Sequence, residues 1–221
     1  MSKKENGLPR PTVEIYARYK ELEKDGDMDA FIDFHNQYDW TTEVFEEYGF
    51  YGLRSCIGEI LVPPNYDDFK LLTCEDVRPG NKIVASENFK FGIIRAGASG
   101  EWLVKPEYDD IGFPNKFTSV RIGDKWGVLN TEDGKLHLPV EYDEIYNGDS
   151  FMFINGIGYL VKDKKFTVIN DFGEYSEAVF DSAEPDEFGR IEVTFKGIKG
   201  FIDKDGKFTT DEDEAYFAEE V

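Results

Sequence analysis

Two different periods of apolar and polar residues run along this chain, and the change between them falls near residue 43. Before it, Val13, Tyr16, Tyr19 and Leu22 recur at helical spacing behind Pro11, a residue tolerated in a first helical turn, and Asp25-Gly26 ends the run. A second helix is predicted after Asp27, with Met28, Phe31, Ile32 and Tyr38 on one side. Beyond residue 43, short runs rich in Val, Ile, Phe and Tyr alternate with clusters of Gly, Asp, Asn and Pro, the signature of strands and turns. Phe117–Ile122 and Ile191–Phe195 alternate as half-buried strands do, and Asp133-Gly134, Asn155-Gly156 and Asp205-Gly206 supply residues that accept the positive φ of tight hairpins.

The strand-rich part repeats itself. Lys125-Trp126-Gly127-Val128-Leu129-Asn130, then Asp133-Gly134-Lys135, then Leu138-Pro139-Val140-Glu141-Tyr142-Asp143-Glu144-Ile145 form one copy. Phe91-Gly92-Ile93-Ile94 leads in the same way into Pro106-Glu107-Tyr108-Asp109-Asp110-Ile111, and Tyr51-Gly52-Leu53 into Pro63-Pro64-Asn65-Tyr66-Asp67-Asp68-Phe69. A weaker fourth copy is read from Gly158-Tyr159-Leu160-Val161 to Phe180-Asp181-Ser182-Ala183, and a short fifth from Gly200-Phe201-Ile202. Taking Gly52, Gly92, Gly127, Gly158 and Gly200 as anchors, the period is about 31 to 42 residues, the range of solenoids, propellers and arrays.

This unit resembles the WG-repeat family: an aromatic-Gly strand, an Asp-Gly-Lys type of turn and a Pro-x-Tyr-Asp-x-Ile knuckle, over roughly residues 48 to 210. Only Trp126-Gly127 keeps the dipeptide that names the family; Tyr or Phe replaces Trp in the first two copies. The resemblance implies a binding scaffold. A unit of this size cannot bury its apolar face alone, so the fold expected is mainly β. It comprises about five WG-type repeats in a propeller-like ring, or alternatively a twisted stack of β-meanders, with an N-terminal helical hairpin covering the first repeat. The expected organisation is an acidic helical hairpin over residues 1–42, repeats over 43–210 and an acidic tail over 211–221.

Charge adds the second strong signal. With 46 acidic and 25 basic residues the formal net charge is −21, which argues against nucleic acid or an anionic lipid surface as a direct partner and favours a basic protein. The first ten residues carry no apolar core of a secretory signal, no later run approaches a membrane span, and two cysteines, Cys56 and Cys74, suit a reducing compartment, so a cytoplasmic location is expected.

Catalytic signatures are sparse. His35 and His137 are the only histidines, and neither phosphate-loop, nucleophile-elbow nor zinc-protease motifs occur. Asp203, Asp205 and Glu214 fit the first, third and twelfth places of a calcium loop, but Phe208 stands where that loop needs glycine, so a hairpin turn is the better reading. No enzyme activity, cofactor or metal is expected. What remains is an acidic binding surface: Asp68, Asp110 and Glu144 as the second acids of successive knuckles, Glu184, Asp186 and Glu187 in one loop, and Asp211, Glu212, Asp213 and Glu214 in the tail. Tyr66, Tyr108 and Tyr142 are expected to pack, and the first acid of each knuckle to form the turn. The sharpest expectation is an immunity protein that neutralises a basic cognate toxin, most simply a nuclease. A glycan or small-ligand scaffold using Trp40, Trp102 and Trp126 is the alternative, and a carboxylate hydrolase the last.

Overall fold

The computed structural model describes residues 7–70, 77–97, 100–146, 157–176, 179–185, 190–203, 207–212 and 215. Two helices come first, α1 (Val13–Asp25) and α2 (Met28–His35). Thr12 and Asp27 cap them by accepting from the Ile15 and Ala30 amides, and Gly26, at φ 73°, ends α1 in the left-handed conformation that glycine adopts without steric cost. The strands follow: β1 (Glu43–Glu47), β2 (Phe50–Arg54), β3 (Ile60–Tyr66), β4 (Asp68–Lys70), β5 (Lys82–Glu87), β6 (Lys90–Arg95), β7 (Trp102–Tyr108), β8 (Asp110–Ile111) and β9 (Phe117–Ile122). Then come β10 (Lys125–Asn130), β11 (Lys135–Tyr142), β12 (Glu144–Ile145), β13 (Ile157–Lys162), β14 (Lys165–Asn170), β15 (Ser182–Pro185), β16 (Ile191–Phe195), β17 (Ile198–Ile202) and β18 (Phe208–Thr209).

These strands make five small sheets: β1-β2-β3, β4-β5-β6-β7, β8-β9-β10-β11, β12-β13-β14 and β15-β16-β17-β18, with the pairings described all antiparallel. The mainly β reading with an N-terminal helical hairpin therefore holds. Each sheet is built on a hairpin whose two-residue turn is Tyr48-Gly49, Asn88-Phe89, Gly123-Asp124, Asp163-Lys164 or Lys196-Gly197. In four of the five both central residues take positive φ, the backbone twist that suits a tight hairpin. The sequence reading missed these turns because Phe89, Lys164 and Lys196 are poor advertisements for positive φ. Of the turns it named, Asp133-Gly134 joins β10 to β11; Asn155-Gly156 and Asp205-Gly206 lie outside the described residues.

The anchor glycine belongs on the second strand of each hairpin, where the third strand bulges across it. Tyr51 pairs with Tyr66 and Leu53 with Val62, leaving Pro63, Pro64 and Asn65 opposite Gly52; Trp126 pairs with Tyr142 and Val128 with Leu138, leaving Pro139, Val140 and Glu141 opposite Gly127. A Cβ on Gly127 would sit 2.9 Å from Val140 Cα, and one on Gly52 2.8 Å from the Val62 carbonyl oxygen. Proline suits such a bulge because it brings no amide that the ladder would need.

This geometry corrects the fourth copy. Gly158 lies on β13, the first strand of its hairpin, paired with Ile169. The position equivalent to Gly127 is Thr167 on β14, and the interval from Gly127 to Thr167 then equals that from Gly52 to Gly92. The segment facing β14 makes bridges, Phe166 with Phe180 and Ile169 with Tyr175, and residues 177 and 178 between them lie outside the described residues.

The chain divides into two compact units, residues 1–87 with 94–102 and residues 88–93 with 103–221. In the first, Leu53, Leu61, Val62 and Tyr66 pack with Val77, Ile83, Ala85 and Ile94. The helical hairpin buries Tyr19 and Trp40 against Cys56, and Arg78 donates to Glu23 and to the Tyr19 hydroxyl. The inward side of α2 is Phe31 and Phe34 with Tyr38 beyond it; Met28 and Ile32 point to solvent, contrary to the predicted face, because the side that meets Tyr19 and Trp40 decides which residues are covered. In the second unit, one cluster joins Phe117, Val128, Leu138 and Tyr142 to Leu160 and Ile169, and another joins Val168 to Phe180, Ala183, Ile191, Val193 and Ile202.

Candidate protein-binding surface

The first three knuckles carry two acids and the fourth carries one. In the second to fourth knuckles the first acid clasps a neighbouring hairpin. Asp109 accepts from Lys90 at the start of β6 and from the Gly123 amide in the next hairpin turn. Asp143 accepts from Lys125 at the start of β10 and from the Asp163 amide in the turn after it; Asp181 accepts from Lys165 at the start of β14. These three clasps form a ladder from hairpin to hairpin along the second unit. The lysine beside each carboxylate, aided by turn amides, holds Asp109, Asp143 and Asp181 below the ordinary aspartate range. Sequence reading assigned the turn to these acids but missed Lys90, Lys125 and Lys165. The signal was legible: a lysine recurs two places before the anchor position in the second, third and fourth copies.

The second acid opens the outer strand of the next sheet. Asp68 and Glu144 are exposed, standing opposite Ser86 and Val161. Asp110 is half-buried opposite Arg121, and its carboxylate accepts from its own neighbour, the Ile111 amide, so this acid is partly committed to the turn. In the fourth knuckle Ser182 takes the place of a second acid. Glu184 is exposed on β15 opposite Glu192, which Lys199 engages at 2.6 Å. Asp211 and Glu212 are exposed, and Glu212 meets Arg190 at 3.4 Å with its side chain 72% open. Asp186, Glu187, Asp213 and Glu214 lie outside the described residues, as does Cys74.

Knuckle tyrosines pack as expected. Tyr66, Tyr108 and Tyr142 are buried, burial pushes their hydroxyls above the usual range, and the Tyr66 hydroxyl donates to the Gly100 carbonyl at 2.6 Å. The indoles pack too: Trp40 is 4% exposed, Trp102 meets Tyr66 edge-on, and Trp126 lies beneath the Arg121 guanidinium against the third-sheet cluster. His137 contacts the Gly173 carbonyl oxygen and the rings of Phe117 and Tyr175, while His35 stands among Tyr19, Phe31 and Trp40. The Asp203 amide donates to the Lys207 carbonyl and its carboxylate accepts from the Lys207 amide, the geometry of a turn. Among the described residues no group of three or more His, Cys, Asp or Glu could hold a metal ion, and no helix is long and apolar enough to cross a membrane.

Similarity to known proteins is narrow. A family model described as WG containing repeat matches residues 98–126, from the end of the second copy's hairpin to Trp126 in the third. No curated protein matches the chain. Among solved structures, Kluyveromyces lactis Hsv2 aligns at 11% identity and a TM-score of 0.36, over 76% of this chain and 58% of that one, so the chain spans less than two thirds of that protein's length. The family match thus covers residues 98–126, and the knuckle and the bulged third strand over its glycine recur beyond that segment in the first copy as well.

Proposed function

We propose that this protein is a non-enzymatic binding module that docks a basic protein through its acidic surface, and in its sharpest form an immunity protein that neutralises a cationic nuclease toxin. The observation that carries the reading is how the charge is distributed. The scaffold consumes its own lysines: Lys90, Lys125 and Lys165 are spent on Asp109, Asp143 and Asp181, Lys162 on Glu141 and Lys199 on Glu192. The net charge of −21 is therefore carried by acids outside the ladder, among them Asp68, Glu144, Glu184, Asp211 and Glu212. A nuclease site is shaped to hold phosphates, and carboxylates on stiff sheets present the same sign of charge to it.

The test is titration of the protein against the basic nuclease encoded beside it, at low and high salt, with nuclease activity read in parallel. Tight binding that weakens with salt and inhibition of cleavage are expected, and lysine substitutions at Glu184, Glu187, Asp211 and Glu212 should abolish both. Absence of binding, or an affinity and salt dependence unmoved by those substitutions, would overturn the reading.

A further inference from the structure

The outer edge of the first sheet lacks what every other sheet has. In the second to fifth sheets the first hairpin strand is covered on its far side by a short outer strand, β4, β8, β12 or β15. The register is the same each time. The residue two places before the hairpin turn faces Asp68, Asp110, Glu144 or Ser182, and the residue before that faces Phe69, Ile111, Ile145 or Ala183. Beneath that apolar side chain lie Ala85, Val120, Leu160 and Val193, all 0% exposed. Among the described residues β1 has no such cover. The first sheet is β1-β2-β3 alone, Val44 is 46% exposed, Glu46 and Glu47 are open, and Phe45, in the place of those four buried residues, is half-buried.

We propose that β1 accepts an added antiparallel strand from a partner protein, with a lysine or arginine opposite Glu46 and an apolar side chain opposite Phe45. An uncovered edge offers backbone donors and acceptors to any extended segment, so side chains decide which one is taken. Glu46 stands where Ser86, Arg121, Val161 and Thr194 stand in the other sheets. A strand led by aspartate or glutamate, as three of the chain's own outer strands are, would set like charges directly opposite. Two β1 edges meeting antiparallel would do the same with Glu46 and Glu47, Glu43 being paired with Arg54. A cationic leading residue turns that repulsion into attraction, and the following apolar residue covers Phe45. The inference rests on the proposed function only for the sign of the partner's charge; the site and the mode of binding are its own.

The experiment uses the full-length protein and two eight-residue peptides, one alternating lysine with valine and one alternating glutamate with valine, with backbone amide exchange followed from Val44 to Glu47. The outward amides of Val44 and Glu46 should exchange quickly in the free protein and slow by about tenfold or more with the lysine peptide alone, while those of Phe45 and Glu47, which face β2, serve as the internal reference. Glu46→Lys should reverse the preference and Glu46→Gln should weaken it, with the spectrum of the rest of the hairpin unchanged. Slow exchange in the free protein would mean that the chain's C-terminal segment or a second copy already covers the edge, and would overturn the proposal. Protection spread over the whole surface, equal protection by both peptides, or indifference to Glu46→Lys would do so as well. Nuclease binding that survives Glu46→Lys but not substitution at Asp211 and Glu212 leaves the proposed function standing and removes this one.

Discussion

The third and fourth sheets use one plan under different local constraints. In both hairpins the second strand starts with a lysine that reaches the next knuckle, Lys125 to Asp143 and Lys165 to Asp181, and both keep an aromatic pair between that strand and the knuckle, Trp126 with Tyr142 and Phe166 with Phe180. They part at one residue. Gly127 admits a continuous third strand with its bulge, whereas around Thr167 the described residues make the bridges Phe166 with Phe180 and Ile169 with Tyr175. Asparagine holds the turn after β14. Asn170 is 8% exposed; its side chain accepts from the Phe172 and Glu174 amides and donates to the Glu174 carboxylate, while its backbone pairs with Glu174 and Gly173. Asn130, its counterpart, is half-buried and accepts only from Glu132 among its side-chain bonds described. The fourth repeat thus carries threonine in the glycine position and holds the turn after its second strand with the Asn170 side chain.

The largest effect expected from breaking this contrast is at Gly127. Gly127→Ala drives a Cβ into the backbone of Val140 and should cost about 2–3 kcal/mol in urea unfolding. Asn170→Ala comes next: it removes the acceptor of the Phe172 and Glu174 amides and the donor to the Glu174 carboxylate, and a loss of about 1–3 kcal/mol is expected, against roughly 0.5–1.5 kcal/mol for Asn130→Ala. If the two asparagines cost the same, the role given to the Asn170 side chain in holding its turn is wrong. Thr167→Gly should cost no more than about 1 kcal/mol, the usual penalty of glycine inside a strand; a gain in stability would show that Thr167 is strained in its place.

The smallest effect is the one the two sheets share. The carboxyls of Asp109, Asp143 and Asp181 titrate lower in the folded chain than in the unfolded one, so their contribution is complete above the ordinary aspartate value of about 3.9 and disappears as pH falls through the depressed folded values. Asp143→Asn should flatten the acid limb of the stability profile slightly and leave the neutral-pH fold intact, measured by thermal unfolding from pH 2 to 7. An acid limb steeper than that of the unsubstituted protein would contradict the ladder.

Much of this was readable from residues that recur. The knuckle Tyr-Asp pairs, the anchor glycines at 52, 92, 127 and 200, and the helical spacing of Tyr19 and Leu22 all repeat a local requirement, so their meaning survives without coordinates. The fourth anchor was misplaced because Gly158 looks like the right residue while Thr167 does not, and only pairing with Ile169 and the isolated bridges distinguish first strand from second. The candidate surface was legible in composition but not in geometry: Asp68 and Glu144 are exposed while Asp110 is half-buried, although Asp68 and Asp110 alike accept from the amide that follows them.

By itself the sequence determined that this chain would be built of short hairpins linked by acidic knuckles, because turn chemistry and strand alternation act over a few residues. Tertiary structure alone decided which acids are neutralised, since Lys90 and Asp109, or Lys125 and Asp143, come together only when successive hairpins stand side by side. It also decided that β1 has no outer strand among the described residues, because the covering strand of each other sheet is supplied by the knuckle of the copy before it, and the described residues ahead of β1 form the two helices.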